Sequence, residues 1–263
     1  LQPLVAAAAP LFQQLHPQVH VDVQGGGSLA GLQAVVSAKV NIGDSDVYAD
    51  PAVYPDPNLT DHLVAIVPFA MVVNPSVTIA SLSREEIVKI FSTGEITNWK
   101  QVGGPDLTIV PVVRPATSGT RATFRKYILQ GRDENGKLLT TDSSQTVRDT
   151  VAHTAGAIGY LALSVLDASV HVLAIDNQLP TASNISAGRY AFWGFEHMYT
   201  LGDNGGAVGA FLDYMLTSPI QRLAQQLGYI PISSAQLAAS PPSTTVLPLG
   251  ATADVPRRVR GGT

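Results

Sequence analysis

Apolar residues recur at helical spacing over residues 3–15, at Leu4, Ala8, Leu11, Phe12 and Leu15, which predicts an amphipathic helix. Pro10 falls inside that pattern and is expected to kink or divide it. Val19, Val21 and Val23 then alternate with polar residues and predict a strand. A glycine run ending in Gly27-Ser28 leads into a second helical pattern at Leu29, Leu32 and Val36. Residues 38–45 read as a loop and short strand through Val40 and Ile42, closing on Gly43-Asp44-Ser45-Asp46.

The next long apolar run, residues 62–74, predicts a strand. Ser83-Arg84-Glu85-Glu86 has the spacing of a capping box and opens a helix that buries Ile87, Ile90 and Phe91. Residues 109–113 are almost wholly apolar, as expected of a buried parallel strand, and end at Arg114. A helix from Thr120 places Phe124, Tyr127 and Ile128 on one face, and a polar loop follows over residues 131–142. Residues 145–153 read as helix, 156–161 and 190–200 as strands, and 207–227 as a helix interrupted at Ser218-Pro219. From Ser233 onward the chain is rich in Ala, Ser, Thr and Pro and reads as a tail. Alternating strands and helices make the class α/β, with largely parallel sheets expected.

Composition narrows the chemistry. The 263 residues carry 16 Lys and Arg against 20 Asp and Glu, a formal charge of −4, with no basic stripe of the kind a nucleic-acid partner needs. An anion would have to be bound by local dipoles rather than by net charge. With no cysteine, disulfides, thiolate metal sites and cysteine nucleophiles are excluded. The six histidines are scattered without metal-ligand spacing, and no cofactor or metal is called for. The chain carries no Gly-x-Ser-x-Gly elbow and no Gly-Lys-Ser/Thr phosphate loop, so an enzyme is not expected. The apolar stretch near residues 63–73 is broken by Pro68 and is too short to span a bilayer. Residue 1 is Leu, so the chain is expected to be a processed form or a fragment.

Three turns remain as candidate chemistry: Gly27-Ser28, Ser45-Asp46, and Arg114-Pro-Ala-Thr-Ser118-Gly119-Thr120. The first and third lead into helices, whose first N–H groups and partial positive charge attract an anion. Hydroxyls add donors, and a guanidinium can fork onto two oxygens of one phosphate. Taken singly, a Gly-Ser turn is commonly only a helix cap and an Arg at a strand end only a surface charge. The weight lies in the three occurring together and in order.

These motifs resemble those of the phosphate-binding proteins that feed ABC importers. The resemblance is carried by Gln24-Gly-Gly-Gly-Ser28, Ile42-Gly-Asp-Ser-Asp46 and Val113-Arg-Pro-Ala-Thr-Ser-Gly-Thr120. It extends to the run from Ile87 to Trp99, to Gly156-Ala-Ile-Gly-Tyr160 and to Leu227-Gly-Tyr-Ile-Pro231, and so covers residues 1–232. It implies a type II periplasmic-binding-protein fold, two α/β lobes joined by two crossing strands near Pro68-Phe69 and Trp193. Lobe one is then residues 1–68 with 194–232, and lobe two residues 69–193. Ser28 and Asp46 would contact phosphate from the first lobe, and Arg114, Ser118, Gly119 and Thr120 from the second. The implied partners are inorganic phosphate and an ABC-importer permease, in an extracytoplasmic setting, with membrane attachment only through an upstream lipid anchor.

The chain departs from the family at its start. A strand and a Gly-Ser-Thr loop that the family places first are expected to be missing before Leu1-Gln2-Pro3-Leu4. Ser243-Thr-Thr-Val-Leu-Pro-Leu249 resembles that loop, either by coincidence in a low-complexity tail or as a returning segment of residues 233–263. The alternatives to phosphate transport are an oxyanion-sensing or structural domain of the same fold with weakened binding, and a binder of another tetrahedral oxyanion.

Overall fold

The computed structural model describes residues 1–136, 138–202 and 204–232. The tail and its Ser243-Thr-Thr245 match lie outside the described residues. In chain order the elements are α1 (Gln2–Leu15), α2 (Ser28–Val36), β1 (Gly43–Ser45), β2 (Leu59–Val73), β3 (Ser81–Leu82), α3 (Arg84–Val88), β4 (Val110–Val113), α4 (Gly119–Tyr127) and β5 (Leu139–Thr140). They continue with α5 (Ser144–His153), β6 (Ala157–Ala162), β7 (His171–Ile175), α6 (Ala182–Ser186), β8 (Trp193–Leu201), α7 (Gly206–Met215), α8 (Ser218–Gln226) and β9 (Ile230–Pro231).

The 15-residue strand β2 is the spine. Its first part, from Leu59 to Pro68, pairs with β8, Pro68 lying opposite Trp193. From Phe69 to Val73 it pairs with β6 instead, beginning at Ala162. The change of partner falls at the proline, whose missing N–H cannot serve a continuous ladder. On one side β1 adds to β8; on the other β4 adds to β6 and β5 to β4.

Strand direction differs from expectation. Among the described residues only β3–β7, β4–β5 and β4–β6 are parallel, whereas β2 is antiparallel to each of β6, β7, β8 and β9, and β1 is antiparallel to β8. The sheet is therefore mixed, because the long strand β2 is met by antiparallel neighbours along both of its halves, while β4 lies parallel to β6 and β5. The Val19–Val21–Val23 alternation forms no strand either: Val21 N–H donates to Gln13 Oε1 at 2.6 Å, and the three valines pack part-buried against the core. Alternation satisfies one face, but a strand also needs a neighbouring backbone. Pro10 does not divide α1, which runs unbroken with Pro10 on its exposed side.

Other local signals hold. Ser83 and Glu86 form the reciprocal capping box of α3, with Glu86 N–H to Ser83 Oγ at 3.2 Å and Ser83 N–H to Glu86 Oε2 at 2.7 Å. Residues 207–227 form two helices, α7 and α8, with Pro219 in the first turn of the second. Phe91, Phe124, Tyr160 and Phe192 are fully buried in one aromatic cluster, Phe124 stacking on Tyr160 at 4.2 Å. Each such ring contributes about 2–3 kcal/mol over an exposed position. That cluster fixes the base of α4, and hence the direction in which its N-terminus points.

Candidate functional site

Two glycines bring the first two turns together. Helix α2 lies backbone against backbone on β1: a Cβ on Gly31 would sit 2.4 Å from the Asp44 carbonyl oxygen, and one on Gly43 2.3 Å from that of Gly31. Leu32 and Val35 of the same helix pack on Tyr199. The contact sets Ser28, the first residue of α2, beside Asp46, just past the end of β1. The Asp46 N–H donates to Ser28 Oγ at 2.9 Å. The turn after β1 is closed by Ser45, whose hydroxyl donates to the Val47 carbonyl at 2.6 Å and accepts the Val47 N–H at 3.1 Å.

The third turn is built by β4 and α4. Strand β4 ends at Val113 and delivers Arg114, only 6% exposed. Ser118 caps α4, accepting the Arg121 N–H at 3.3 Å, so Gly119 and Thr120 are the first residues of the helix. Thr123 Oγ1 donates back to the Gly119 carbonyl at 3.0 Å.

The turns meet directly. Leu29 N–H donates to the Thr117 carbonyl at 3.3 Å, and Thr120 Oγ1 donates to Asp46 Oδ2 at 2.9 Å. A Cβ on Gly119 would lie 2.1 Å from Ser28 Oγ and 3.0 Å from Asp46 Cβ, so only glycine lets the two sides close this far. Five of the six residues singled out by the sequence therefore meet here, Ser28, Asp46, Ser118, Gly119 and Thr120, and the sixth, Arg114, lies close enough to Asp46 to feel its charge. Ser28, Ser118 and Thr120 are each 3% exposed, and the N-termini of α2 and α4 open onto the same place.

The electrostatics suit an anion. Burial works against the Arg114 charge and lowers its pKa, while Asp46 gives the strongest opposing attraction. Arg114 Nη1 donates to Ser144 Oγ at 3.1 Å and Nη2 to the Asp142 carbonyl at 3.0 Å. Its Nε is buried and has no partner among the described residues. A buried guanidinium N–H left unpaired is costly, so this donor is poised for a ligand. Beside Asp46 lies a second acid, Asp44, pushed up to about 6 by desolvation and by its charged neighbour Asp46. The nitrogen of Leu1 lies 2.9 Å from Glu196 Oε1 and 3.8 Å from Asp46 Oδ1, which sets the first residue next to the site.

The groups that hold Arg114 carry no binding motif in the sequence. Ser144 and the Asp142 carbonyl fall at the end of a loop read as merely polar. Tyr160, whose hydroxyl accepts the Arg114 N–H at 3.3 Å, stood out only as a family landmark. The Ser143-Ser144 pair before the α5 pattern was the available signal, since a second serine beyond the cap has no capping task.

Residues 1–219 match the model of the PBP superfamily domain. The chain is 46% identical over 236 residues to the phosphate-binding protein PstS of Bacillus subtilis strain 168, covering 89% of this chain and 78% of that protein. The fold superposes with a TM-score of 0.83 on a Clostridium perfringens protein described as a phosphate ABC transporter substrate-binding protein and solved with phosphate bound. That match has 25% identity and covers 88% of this chain and 96% of the other. An ABC-type phosphate transport receptor from Vibrio cholerae matches with a TM-score of 0.71 and 29% identity, over 87% and 95% of the two chains. Such proteins are substrate-binding receptors and not enzymes. The chain thus belongs to the PBP superfamily and, within it, to the phosphate-binding proteins of phosphate ABC transporters.

Proposed function

We propose that this chain is an extracytoplasmic receptor that binds inorganic phosphate between the Ser28 and Asp46 turns and the Arg114–Thr120 segment and delivers it to the permease of an ABC importer. The observation that carries this reading is Arg114: a residue only 6% exposed, whose buried Nε has no partner among the described residues and whose charge is felt by Asp46. A cation and helix dipoles attract an oxyanion, and a carboxylate on the same site repels one unless the ligand brings a proton. Hydrogen phosphate has that proton to donate to Asp46; sulfate at neutral pH has none. Ser28, Ser118 and Thr120 supply hydroxyls, and Gly119 supplies a backbone N–H with no side chain in the way.

The two-lobe organisation belongs to the same proposal: residues 1–68 with 194–232 as one lobe, 69–193 as the other. The switch of β2 from β8 to β6 between Pro68 and Phe69 supports it, with Ser28 and Asp46 on one side of the switch and Arg114 to Thr120 on the other. Closure of the lobes would dehydrate the bound ion and strengthen every bond to it. Attachment to the membrane would then rest on an upstream lipid anchor: among the described residues, no helix is long and apolar enough to cross a membrane.

Calorimetry with phosphate and sulfate tests the reading. Phosphate is expected to bind and sulfate not. In Asp46→Asn the phosphate affinity is expected to fall about tenfold while sulfate binding rises, since an amide donates to a proton-free oxygen. A variant that keeps the full phosphate preference would rule out Asp46 as the discriminator.

A further inference from the structure

One buried acid lies outside the residues assigned to the ligand. Glu134, in the connection between α4 and α5, has a side chain with no exposed surface. It accepts from Arg121 Nε at 3.1 and 3.0 Å and from Arg121 Nη2 at 3.0 Å, and from the Tyr160 hydroxyl at 3.1 Å. Arg125 Nε approaches to 3.8 Å. Burial works against the Arg121 charge, but the bonds to Glu134 more than offset it and raise its pKa. Burial first, then the nearby Glu134 carboxylate, push the Tyr160 phenol up, so its proton stays in place to be donated.

These two partners are tied to opposite ends of the anion-binding segment. Tyr160 accepts the backbone N–H of Arg114, the first residue of the segment, at 3.3 Å. Arg121 follows Thr120, the last, and its own N–H donates to Ser118 Oγ at 3.3 Å. The far end of the same connection holds the Arg114 guanidinium through Ser144 and the Asp142 carbonyl. One carboxylate thus joins both ends of a tight turn whose middle offers the donors.

We propose that Glu134 is a positioning residue for phosphate binding: through Tyr160 and Arg121 it fixes the spacing between Arg114 and the N-terminus of α4. The inference rests on the phosphate reading above. A bystander ion pair predicts the opposite sign of effect. Neutralising Glu134 leaves the Arg121 cation uncompensated near the anion, which by charge alone would leave affinity unchanged or raise it. Positioning requires affinity to fall, because misplaced donors lose their geometry with the ligand.

The experiment is calorimetry with inorganic phosphate on the wild-type chain, Glu134→Gln and Tyr160→Phe, well below each melting midpoint, with circular dichroism to verify the fold. Glu134→Gln is expected to bind about tenfold more weakly, as when one charge-assisted hydrogen bond is lost. Tyr160→Phe, which removes one hydroxyl, is expected to bind about threefold more weakly. Combining Glu134→Gln with Ser118→Ala should cost less than the product of the single losses, because both act on one turn. A wild-type chain that takes no phosphate overturns the function and this inference with it. A wild type that binds, beside a folded Glu134→Gln that binds as well or better, overturns this inference alone. Should Glu134→Gln not fold, undiminished affinity in Tyr160→Phe overturns it equally.

Discussion

The Ser28–Asp46 half of the site is made of backbone and small side chains, whereas the Arg114–Thr120 half is braced by charge and aromatic rings. In the first half, α2 rests on β1 through Gly31 and Gly43, and a single bond from Asp46 N–H to Ser28 Oγ joins the two turns. In the second, Arg114 is held through Ser144, Asp142 and Tyr160, and α4 is anchored by Phe124 below and by Glu134 beside it. Such a division suits a selective anion site. The cation must be buried to be strong, and a buried charge is tolerable only inside a bonded frame. Asp46, the acceptor proposed to discriminate, needs only to be brought close, which small residues allow.

The largest expected effect strikes the braced half. Arg114→Met keeps the bulk and removes the charge, and phosphate affinity is expected to fall at least about a hundredfold, given the strength of paired charge-assisted bonds. Thermal stability is expected to change little or rise, because a buried cation is removed. Retained micromolar phosphate binding in calorimetry would show that the hydroxyls and helix N-termini suffice alone.

Gly119→Ala attacks the contact between the halves rather than either one. Its Cβ would fall 2.1 Å from Ser28 Oγ, so the turns must separate. Affinity is expected to drop about thirtyfold, the cost of an ångström-scale misplacement at a site that needs tighter geometry. Adding Ser28→Gly, which clears the obstruction, should recover part of the loss. Absence of any recovery would mean that Ser28 matters more as a donor than as a neighbour.

The smallest effect on binding is expected at Asp44, behind the small-residue half. Burial raises its carboxyl to about 6, so the folded state resists its ionisation. The unfolded chain ionises first as pH climbs through about 4, and stability then falls until the folded carboxyl ionises near pH 6. Asp44→Asn removes that loss, with a gain of up to about 3 kcal/mol at pH 7 and none below pH 4. Melting curves across pH check the sign; equal gains at pH 3.5 and pH 7 would exclude ionisation as the cause.

Much of the site was legible. Ser28, Asp46, Arg114 and Ser118 to Thr120 could be picked out because they lie in three small-residue turns that occur together, in order, and resemble the motifs of the phosphate-binding proteins. Their supports were not. Ser144 lies 30 residues from Arg114, Tyr160 26 residues from Glu134, and Thr120 74 residues from Asp46. No local spacing rule links such pairs. Glu134 sits in a stretch with the composition of a solvated loop, and nothing in its neighbours marks it as buried.

The sequence by itself determined the elements and their chemistry: where helices start, as at Ser83 and Ser118, where apolar strands run, as in β2 and β4, and which turns carry donors. Those features depend on residues a few positions apart, so they survive without knowledge of the fold. Tertiary structure alone decided the strand directions, the loss of the Val19–Val21–Val23 strand and the meeting of the distant turns at Ser28, Asp46, Gly119 and Thr120. Each of these depends on which backbone lies alongside, and that is fixed by burial summed over the whole chain rather than by any local pattern.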